Sequence, residues 1–370
     1  MSNVSKLKLI FAIATDPVYI GTGGYTIGRV DNTIVRDPIT KIPKIPGSSL
    51  AGTWRYYTAL DLQSHFKDEY KTNLKKREEH KDDISKLFDN PKDWMKNFEG
   101  NRFAKITCAG QDETPNEEDS EKNTGHCGHC IVCKAFGYAK KTSWQGMLFF
   151  SDLNILFFPV YTRLGTKWIT SERILKEAGL INNSGNNEEE EGKEKKDIVF
   201  AQKEIEEGKT KGFINLGWLS LTYEVKNFPI LLSKVKTDNF ELKPEDIIIV
   251  PDSLVSQIIN SNLEVRTSVS INPITGAAKE KALFTSEAIP RGTYFYGKTR
   301  LFNRPQIENN KLPEEKDIWD ALKDSRHYYE TLGIGGMTTR GFGRMKVLFE
   351  DETKQANEQE DTKTGGNNGN

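Results

Sequence analysis

A group of closely spaced cysteines and histidines has the clearest chemistry in this sequence. The segment HCGHCIVC contains two successive Cys-x-x-Cys steps, and one more cysteine lies upstream. Zinc takes four thiolate or imidazole ligands in a tetrahedron, and this spacing is more typical of a zinc site than of free thiols on a loop. We therefore predict a structural Zn²⁺ that staples a long segment with little core of its own. Its candidate ligands are Cys127, Cys130, Cys133, Cys108 and His126, and the sequence leaves the fourth ligand open.

A glycine-rich segment near the N-terminus is followed by an aspartate. GTGGYTIGRVD at 21–31 contains Gly23 and Gly24, whose backbone N–H groups can approach a phosphate or simply allow a turn. The spacing matches neither a P-loop nor a dinucleotide-binding pattern. Asp31 is a turn residue by composition, unless its carboxylate does chemistry beside the loop.

A second glycine-rich segment, GIGGMTTRGFGR, lies near the C-terminus. Gly335 and Gly336 can bring backbone N–H groups to a phosphate, and Arg340 and Arg344 add positive charge. Phe342 offers a face on which a base can stack. A tight hairpin with two surface arginines explains the same residues equally well.

The stretch PGSS at 46–49 marks the expected start of a helix. Ser48 or Ser49 can cap the helix by accepting a bond from its free N–H groups, and the same N-terminus can bind an anion. Arg55, about two turns into the helix, can reach a phosphate. By itself this pattern favours capping.

The composition sets few limits on the partners of this protein. The 370 residues carry a formal charge of −1, and 36% are apolar and 28% charged. One large or two small domains can form, and nucleic acid is not excluded, because local charge decides binding. No signal peptide or membrane-length apolar run is visible, and the few cysteines do not form a disulfide framework. We expect a cytoplasmic protein without a membrane partner.

Strand-like and helix-like segments alternate irregularly, which predicts an α+β fold. KLKLIFAIAT reads as a core strand and LAGTWRYYTALDLQSHF as a helix. We expect one domain over 1–350, with insertions at about 66–146 and 181–212. The first insertion begins as an exposed helical excursion and includes the cysteines, and the second is polar, acidic and disordered or loosely helical. The polar tail 351–370 is expected to be disordered.

Together these segments resemble the RAMP superfamily, and within it the repeating backbone subunit of type III CRISPR effector complexes. The most specific match is GRVDNTIVRDPITKIPKIPGSSLAGTWR at 28–55. IGGMTTRGFGRMKV at 334–347 is similar to the family's glycine-rich loop. FFPVYTRLGTKWITSERIL at 157–175 and ALFTSEAIPRGTYFYG at 282–297 resemble the type III-B form. GHCIVCKAFG at 128–137 resembles the zinc-bearing segment of some type III subunits.

The resemblance implies a fold and a set of partners. The fold is a modified RNA-recognition-motif (ferredoxin-like) palm with a thumb-like hairpin, which we place within 262–285. Several copies of the protein would line up in a filament along one guide RNA, beside other subunits of the effector. Each hairpin would interrupt the guide–target duplex, and target RNA would be cut beside each interruption. The acidic stretch 186–194 would repel RNA and lie on the outside.

The resemblance also implies a reaction. Asp31 matches the family's catalytic aspartate, and the nucleophile is the 2′-OH of the target RNA itself. Asp31 can act as general base or can hold a hydrated Mg²⁺, which leaves a 2′,3′-cyclic phosphate and a 5′-OH. Many relatives have histidine where this chain has Tyr19, whose hydroxyl can still bond a phosphate. Glu287 lies in a segment that contributes acidic residues to the site in type III-B relatives, although an ordinary surface glutamate explains it as well.

Guide phosphates are the expected partners of Ser48, Ser49, Arg55, Arg340 and Arg344, and such contacts position RNA without reading its sequence. Other functions stay open at this point. A capping or inactive subunit would keep the glycine loops without the chemistry. A guide-maturation ribonuclease of the superfamily would rely on a histidine base. A zinc-stapled scaffold would not bind RNA at all.

Overall fold

Two compact units make up the part of the chain that can be described. The computed structural model describes residues 5–23, 30–110, 125–139, 143–181, 198–204, 208–236, 241–304 and 311–350. The first unit comprises 1–8, 46–152 and 298–331, and the second comprises 9–45, 153–297 and 332–370. Gly24, the acidic stretch 186–194 and the tail 351–370 lie outside the described residues. The single-domain interpretation over 1–350 stays a prediction.

The secondary structure of these residues is mixed. The strands are β1 (Ser5–Ala14), β2 (Lys44–Ile45), β3 (Gly137–Tyr138), β4 (Trp144–Gln145), β5 (Leu148–Phe150), β6 (Leu153–Thr162), β7 (Gly165–Thr170), β8 (Ile198–Ala201), β9 (Lys211–Leu216), β10 (Leu219–Val225), β11 (Ile247–Ile249), β12 (Glu264–Ile271), β13 (Ala278–Ala288), β14 (Tyr294–Phe302) and β15 (Met345–Phe349). The helices are α1 (Gly47–Ser64), α2 (Asp68–Lys71), α3 (Leu74–Glu78), α4 (Asp93–Asn97), α5 (Ile131–Phe136), α6 (Glu172–Glu177), α7 (Asp252–Ser261), α8 (Glu315–Ser325) and α9 (Tyr328–Thr331). None of these helices is long and apolar enough to cross a membrane.

One large mixed sheet organises the second unit. Its strand order is β15-β1-β14-β6-β7-β11-β8-β10-β9. β1 pairs antiparallel with β15, whereas β7 with β11 and β8 with β10 are parallel pairs. The residues Ile10–Ala14 of β1 are all buried, as a near-continuous apolar run requires of a central strand. The mixed α and β fold expected from the sequence is therefore present.

A separate two-stranded hairpin, β12–β13, extends from this unit. Thr267 lies opposite Thr285 in its antiparallel ladder, and a turn closed by Gly276 N–H to Asn272 O at 2.9 Å joins the strands. Several apolar side chains near its tip are exposed, and Ile274 is 92% accessible. The hairpin predicted within 262–285 is confirmed, and β13 extends it to Ala288.

The insertion predicted at 181–212 contains a strand of the main sheet. Ile198–Ala201 forms β8, which pairs with β10 and β11. The disordered or loosely helical interpretation was therefore wrong at this point. The four residues IVFA are apolar and alternate between buried and half-buried positions, which is the pattern of a strand that its polar surroundings concealed.

The first unit is built on α1. Trp54 is fully buried, donates its indole N–H to Leu322 O at 3.0 Å, and meets the Tyr329 ring edge-on at 5.5 Å between centroids. The excursion expected to be exposed has a core of its own, since Phe66, Leu87, Phe88, Trp94 and Met95 are all buried. Its many charges hid apolar residues that are too irregularly spaced to show a helical period.

Removal of the Trp54 side chain should destabilise the protein strongly. Trp54→Ala leaves a large cavity and removes the indole hydrogen bond to Leu322 O, so we expect a loss of about 3–5 kcal/mol in the free energy of unfolding. Tyr56→Ala is the matched control, because Tyr56 lies on the same helix but is exposed. Urea unfolding of both variants measures the difference, and equal losses would contradict this account of the core.

Candidate nucleic-acid interface and metal site

Asp31 lies at the base of the β12–β13 hairpin and is fixed there by one residue. Its Oδ2 accepts hydrogen bonds from Thr285 N–H at 2.8 Å and from Thr285 Oγ1 at 2.9 Å. In return, Asp31 N–H donates to Thr285 Oγ1 at 3.1 Å. The carboxylate is nevertheless exposed to solvent, so it is held in one orientation and remains open to a ligand.

The surroundings of Asp31 keep it ionised. The Thr285 N–H lowers the pKa of the carboxyl most, and the Thr285 hydroxyl lowers it further, because both bonds favour the charged form. Asp37 differs in that it bonds within its own loop, to Ile39 N–H and Thr40 N–H, which lowers its pKa to about 2. Asp37 is thus a turn residue, whereas Asp31 reaches across to another strand.

The residues after Asp31 continue the attachment to β13. Asn32 N–H donates to Thr285 O at 3.0 Å, and Glu287 N–H donates to Asn32 O at 3.0 Å, in a parallel bridge. Asn32 Nδ2 also donates to Ser286 Oγ at 3.3 Å. Sequence reasoning missed Thr285, although it stands in the quoted segment ALFTSEAIPRGT. Its only signal was a polar pair, Thr-Ser, directly after the apolar residues Ala-Leu-Phe.

Glu287 is a buried partner of Arg36. Its Oε2 lies 2.7 Å from Arg36 Nη2, and Arg36 Nε donates to Asn260 Oδ1 at 2.8 Å. Arg36 Nη1 also donates to Ile34 O at 3.0 Å. Glu287 is therefore not the surface residue considered from the sequence. It anchors the segment that carries Asp31, and its direct participation in catalysis stays a prediction.

Tyr19 lies against the C-terminal glycine loop. Its carbonyl accepts from Gly336 N–H at 3.0 Å, and a Cβ at Gly335 would come within 2.2 Å of that carbonyl oxygen. Its hydroxyl would be only 2.6 Å from a Cβ at Gly21. Burial raises the pKa of the Tyr19 hydroxyl, so it stays protonated at neutral pH and can donate a hydrogen bond. The two glycine-rich segments therefore meet at Tyr19.

The second glycine loop is closed by a tight crossing of its two ends. Ile334 N–H donates to Gly343 O at 2.9 Å, and Gly343 N–H donates to Pro17 O at 2.8 Å. Gly343 has φ of 84°, and a Cβ there would be 2.2 Å from Ile334 O. This glycine is required both by its left-handed backbone and by the close contact.

The sequence suggested Phe342 as a face on which a base can stack. In the structure its ring is covered and is not available for stacking. It is 4% exposed, and the Arg266 guanidinium lies 4.6 Å above its ring centroid. Arg266 Nη1 also donates to Gly341 O at 3.2 Å, so it ties the base of the hairpin to the glycine loop. The sequence gave no indication of this contact, because the two residues are far apart in the chain.

The two arginines of this loop differ in their partners. Arg344 pairs with Asp16, so a phosphate would have to compete with that carboxylate. Arg340 is exposed, and within the described part of the chain no acidic side chain pairs with it. Of the two, Arg340 is therefore better placed for an unhindered phosphate contact. The open Gly23, with φ of 79°, belongs to the same unit.

The predicted contacts on α1 belong to the first unit. The helix begins at Gly47, whose N–H donates to Asp152 Oδ1 at 2.8 Å, so the prediction of a serine cap was wrong. Ser48 and Ser49 lie in the first turn, and Ser48 is exposed. Because the Asp152 carboxylate already occupies part of the positive helix end, an anion would meet competition there.

Four cysteines of the first unit converge. The sulfurs of Cys108, Cys127, Cys130 and Cys133 all lie within 4.8 Å of one another. The Cys127 and Cys133 sulfurs are 3.9 Å apart, close to the ~3.8 Å edge of a tetrahedron with Zn–S bonds of about 2.3 Å. Backbone N–H groups of Cys127 and Cys130 point at sulfurs, at 3.4 and 3.3 Å. The donor set therefore fits a thiophilic divalent metal.

His126 does not belong to this group of converging ligand atoms. Its ring lies against Arg55, with Nδ1 2.7 Å from Arg55 Nη2, and Arg55 Nε donates to Cys108 O at 2.8 Å. The arrangement favours Cys108 over His126 as the fourth ligand. It also directs Arg55 to the cysteine segment, so that a guide-phosphate contact from this side chain stays a prediction.

Buried positive charge lies near the cysteine cluster. Burial raises the pKa of the Cys130 thiol, and its contacts with the other three cysteines raise that pKa further. Arg77 is 1% exposed and donates to the carbonyls of Tyr70, Lys71, Arg102 and Ala104. Burial lowers the pKa of Arg77 to about 10, and the nearby cysteines oppose that shift, so it remains a cation. A tetrathiolate site with a divalent metal has excess negative charge, which Arg77 is placed to offset.

The family of the chain follows from comparison with known sequences. The profile of the RAMP superfamily matches residues 12–346, and the chain belongs to that superfamily. It is 24% identical over 363 residues to the CRISPR system Cmr endoribonuclease Cmr4 of Pyrococcus furiosus, a match that covers 94% of this chain and 97% of that protein. It is 43% identical over 61 residues to the CRISPR system Cms endoribonuclease Csm3 of Enterococcus italicus, covering 16% of this chain and 28% of the other.

Solved structures share the fold. A chain of the type III-B Cmr-β complex in its apo state is similar with a TM-score of 0.53 and 14% identity, over 94% of this chain and 98% of that one. A chain of the same complex bound to cognate target RNA gives a TM-score of 0.52 and 15% identity, with the same coverage. The expected resemblance to type III-B RAMP subunits is confirmed.

A methyl group at Gly343 should damage the loop more than one at Gly341. Both glycines have positive φ, but a Cβ at Gly341 meets only Arg266 Nη1, at 3.8 Å. Gly341→Ala should cost about 1–2 kcal/mol for the left-handed backbone alone. Gly343→Ala should cost more, because Ile334 O must also move. Thermal unfolding of both variants tests this. Equal shifts of Tm would contradict the close contact between Gly343 and Ile334 O.

Proposed function

We propose that this protein is a guide-RNA-binding backbone subunit of a type III CRISPR effector that cleaves complementary target RNA at regular spacing. The observation that carries the proposal is the exposed Asp31 carboxylate, fixed at the base of a projecting hairpin in a RAMP-superfamily chain. A relative over nearly the whole length, Cmr4 of Pyrococcus furiosus, is named an endoribonuclease. Similar chains occur in a complex with cognate target RNA.

The chemistry at Asp31 is attack by the 2′-OH of the target on the adjacent phosphate. The carboxylate is an anion at neutral pH, and its lowered pKa makes it a weaker base than an ordinary aspartate. This favours the holding of a hydrated cation over proton abstraction. One exposed carboxylate oxygen fits Mg²⁺, which keeps most of its waters and, when bound, stabilises the negative charge that develops on the phosphate.

The other parts of the second unit would bind and position RNA and would not take part in the reaction. The main sheet would serve as the RNA-recognition-motif-like palm, and the β12–β13 hairpin as the thumb whose exposed apolar tip interrupts the guide–target duplex. Gly335 offers a backbone N–H group and Arg340 offers charge to guide phosphates, with Arg344 once it leaves Asp16, whereas Gly336 N–H is bonded to Tyr19 O. Further copies of the chain would line up along one guide, beside other effector subunits.

Cleavage by the assembled effector tests this function. We expect Asp31→Ala to abolish regularly spaced cuts in a target RNA while target affinity stays within about twofold, because Asp31 contributes to the reaction and not to pairing. Gel analysis of cut positions, with Mg²⁺ and with EDTA, together with filter binding, measures both effects. Asp37→Ala is a control for the loss of a nearby carboxylate.

Two results would refute the proposal. If the wild-type complex binds target without cutting it, the protein is a non-catalytic guide-binding or capping subunit. If the purified chain binds no RNA at low salt, the zinc-stapled scaffold without RNA is the better description.

We also propose that the four-cysteine cluster holds one structural Zn²⁺ that staples the cysteine loop to the first unit. The support is the convergence of four sulfurs with backbone N–H groups directed at them. All four positions are filled by protein, so the site is closed and suits stability rather than catalysis.

Metal analysis of the purified chain tests the zinc site. We expect about one Zn²⁺ per chain, and Cys130→Ser should lose most of it, with a fall in Tm, since a thiolate ligand is removed. His126→Ala should keep its zinc, because that ring contacts Arg55 instead. Elemental mass spectrometry of the two variants measures their zinc content. Loss of zinc in His126→Ala would show that His126 is a zinc ligand.

A further inference from the structure

Thr285 uses all of its polar atoms on the Asp31 segment. Its N–H and its hydroxyl both donate to Asp31 Oδ2, its hydroxyl oxygen accepts from Asp31 N–H, and its carbonyl accepts from Asn32 N–H. Because Oγ1 accepts the Asp31 N–H, its own proton is free to point at Oδ2. The directions of these hydrogen bonds are therefore all determined.

This arrangement treats the two carboxylate oxygens of Asp31 differently. Oδ2 receives two donors from Thr285, whereas Oδ1 has no protein donor among the described residues. Two donors on one oxygen prevent rotation of the carboxylate, so Oδ1 keeps a single direction toward solvent. The geometry also depends on the side chain, since the backbone N–H alone would leave the carboxylate free to turn about one bond.

We infer that Thr285 is a positioning residue for target cleavage, which acts by presenting Asp31 Oδ1 to the RNA. This inference rests on the proposed function. Thr285 touches neither the phosphate nor the nucleophile in this role. Its hydroxyl holds the carboxylate, and the hairpin strand β13 that carries Thr285 thereby sets the position of Asp31. Positioning of this kind affects the rate of the chemical step and leaves the affinity for the target unchanged.

Two substitutions at position 285 separate the hydroxyl from the shape of the side chain. Thr285→Val keeps the shape and the backbone N–H but removes the hydroxyl, and Thr285→Ser keeps the hydroxyl. In the assembled complex with saturating target, we expect Thr285→Val to slow cleavage about tenfold to a hundredfold, since the lost bond is to a charged group. Thr285→Ser should restore the rate to within about threefold of wild type. Target affinity should stay within about twofold for both variants.

Thr210→Val is the matched control. Thr210 lies just before β9, is exposed, and undergoes the same chemical change. It should cut like wild type. The inference is overturned if Thr285→Val cuts at the wild-type rate, if Thr285→Ser is as slow as Thr285→Val, or if the loss of rate follows a loss of target affinity.

A stability cycle in the free chain tests the contact without any reliance on cleavage. Asp31→Ala and Thr285→Val both remove the bond between Thr285 Oγ1 and Asp31 Oδ2, so the urea-midpoint shift of the double variant should be smaller than the sum of the two single shifts. Shifts of the midpoint that add would show that the two side chains do not interact, which would overturn the inference. A wild-type complex that does not cut, together with a coupled stability cycle, would instead refute the proposed function and leave only the contact.

Discussion

The attachment of the Asp31 segment to strand β13 is the interaction on which the candidate site depends. A loop carboxylate beside a glycine-rich turn has many orientations, and an exposed one gains little from burial. Here, hydrogen bonds from Thr285 fix the carboxylate, the parallel bridge at Asn32 fixes the backbone, and the ion pair between half-buried Arg36 and buried Glu287 fixes the residues that follow. Each of these partners lies about 250 residues away in sequence, so the site exists only when hairpin and loop come together.

The glycine loops are explained by close backbone contacts more than by phosphate binding alone. The carbonyl of Tyr19 lies where a side chain at Gly335 would be, and Ile334 O lies where one at Gly343 would be. Arg266 then covers Phe342, so that the hairpin base, the glycine loop and the N-terminal segment pack against one another. Exposed positive charge remains at Arg340. A surface built in this way is rigid near the backbone and open at the groups that a phosphate would meet.

The first unit combines a hydrophobic core with a cysteine cluster and a buried cation. It has a hydrophobic core around Trp54 and Trp94, and beside that core four sulfurs are brought together with the buried cation Arg77. Four thiolates around a divalent metal are negative overall, and a buried guanidinium bonded only to carbonyls is positive. If the four sulfurs hold the proposed metal, the nearby guanidinium would lower the cost of burying the negative charge of that site.

The sequence by itself determined the local features of this protein. The apolar run of β1, the helix of α1, the hairpin near 262–285 and the close cysteine pattern all follow from periodicity, turn residues and spacing, and the family motif pointed to Asp31. Only the tertiary structure decided the partners. It placed Thr285 on Asp31, Arg36 on Glu287, Arg266 on Phe342 and Asp152 at the start of α1, and it brought Cys108 rather than His126 to the other cysteines. The physical reason is range: propensity and pattern act within about a turn or a strand, whereas each of these contacts joins residues that become neighbours only when the sheet, the hairpin and the core have formed.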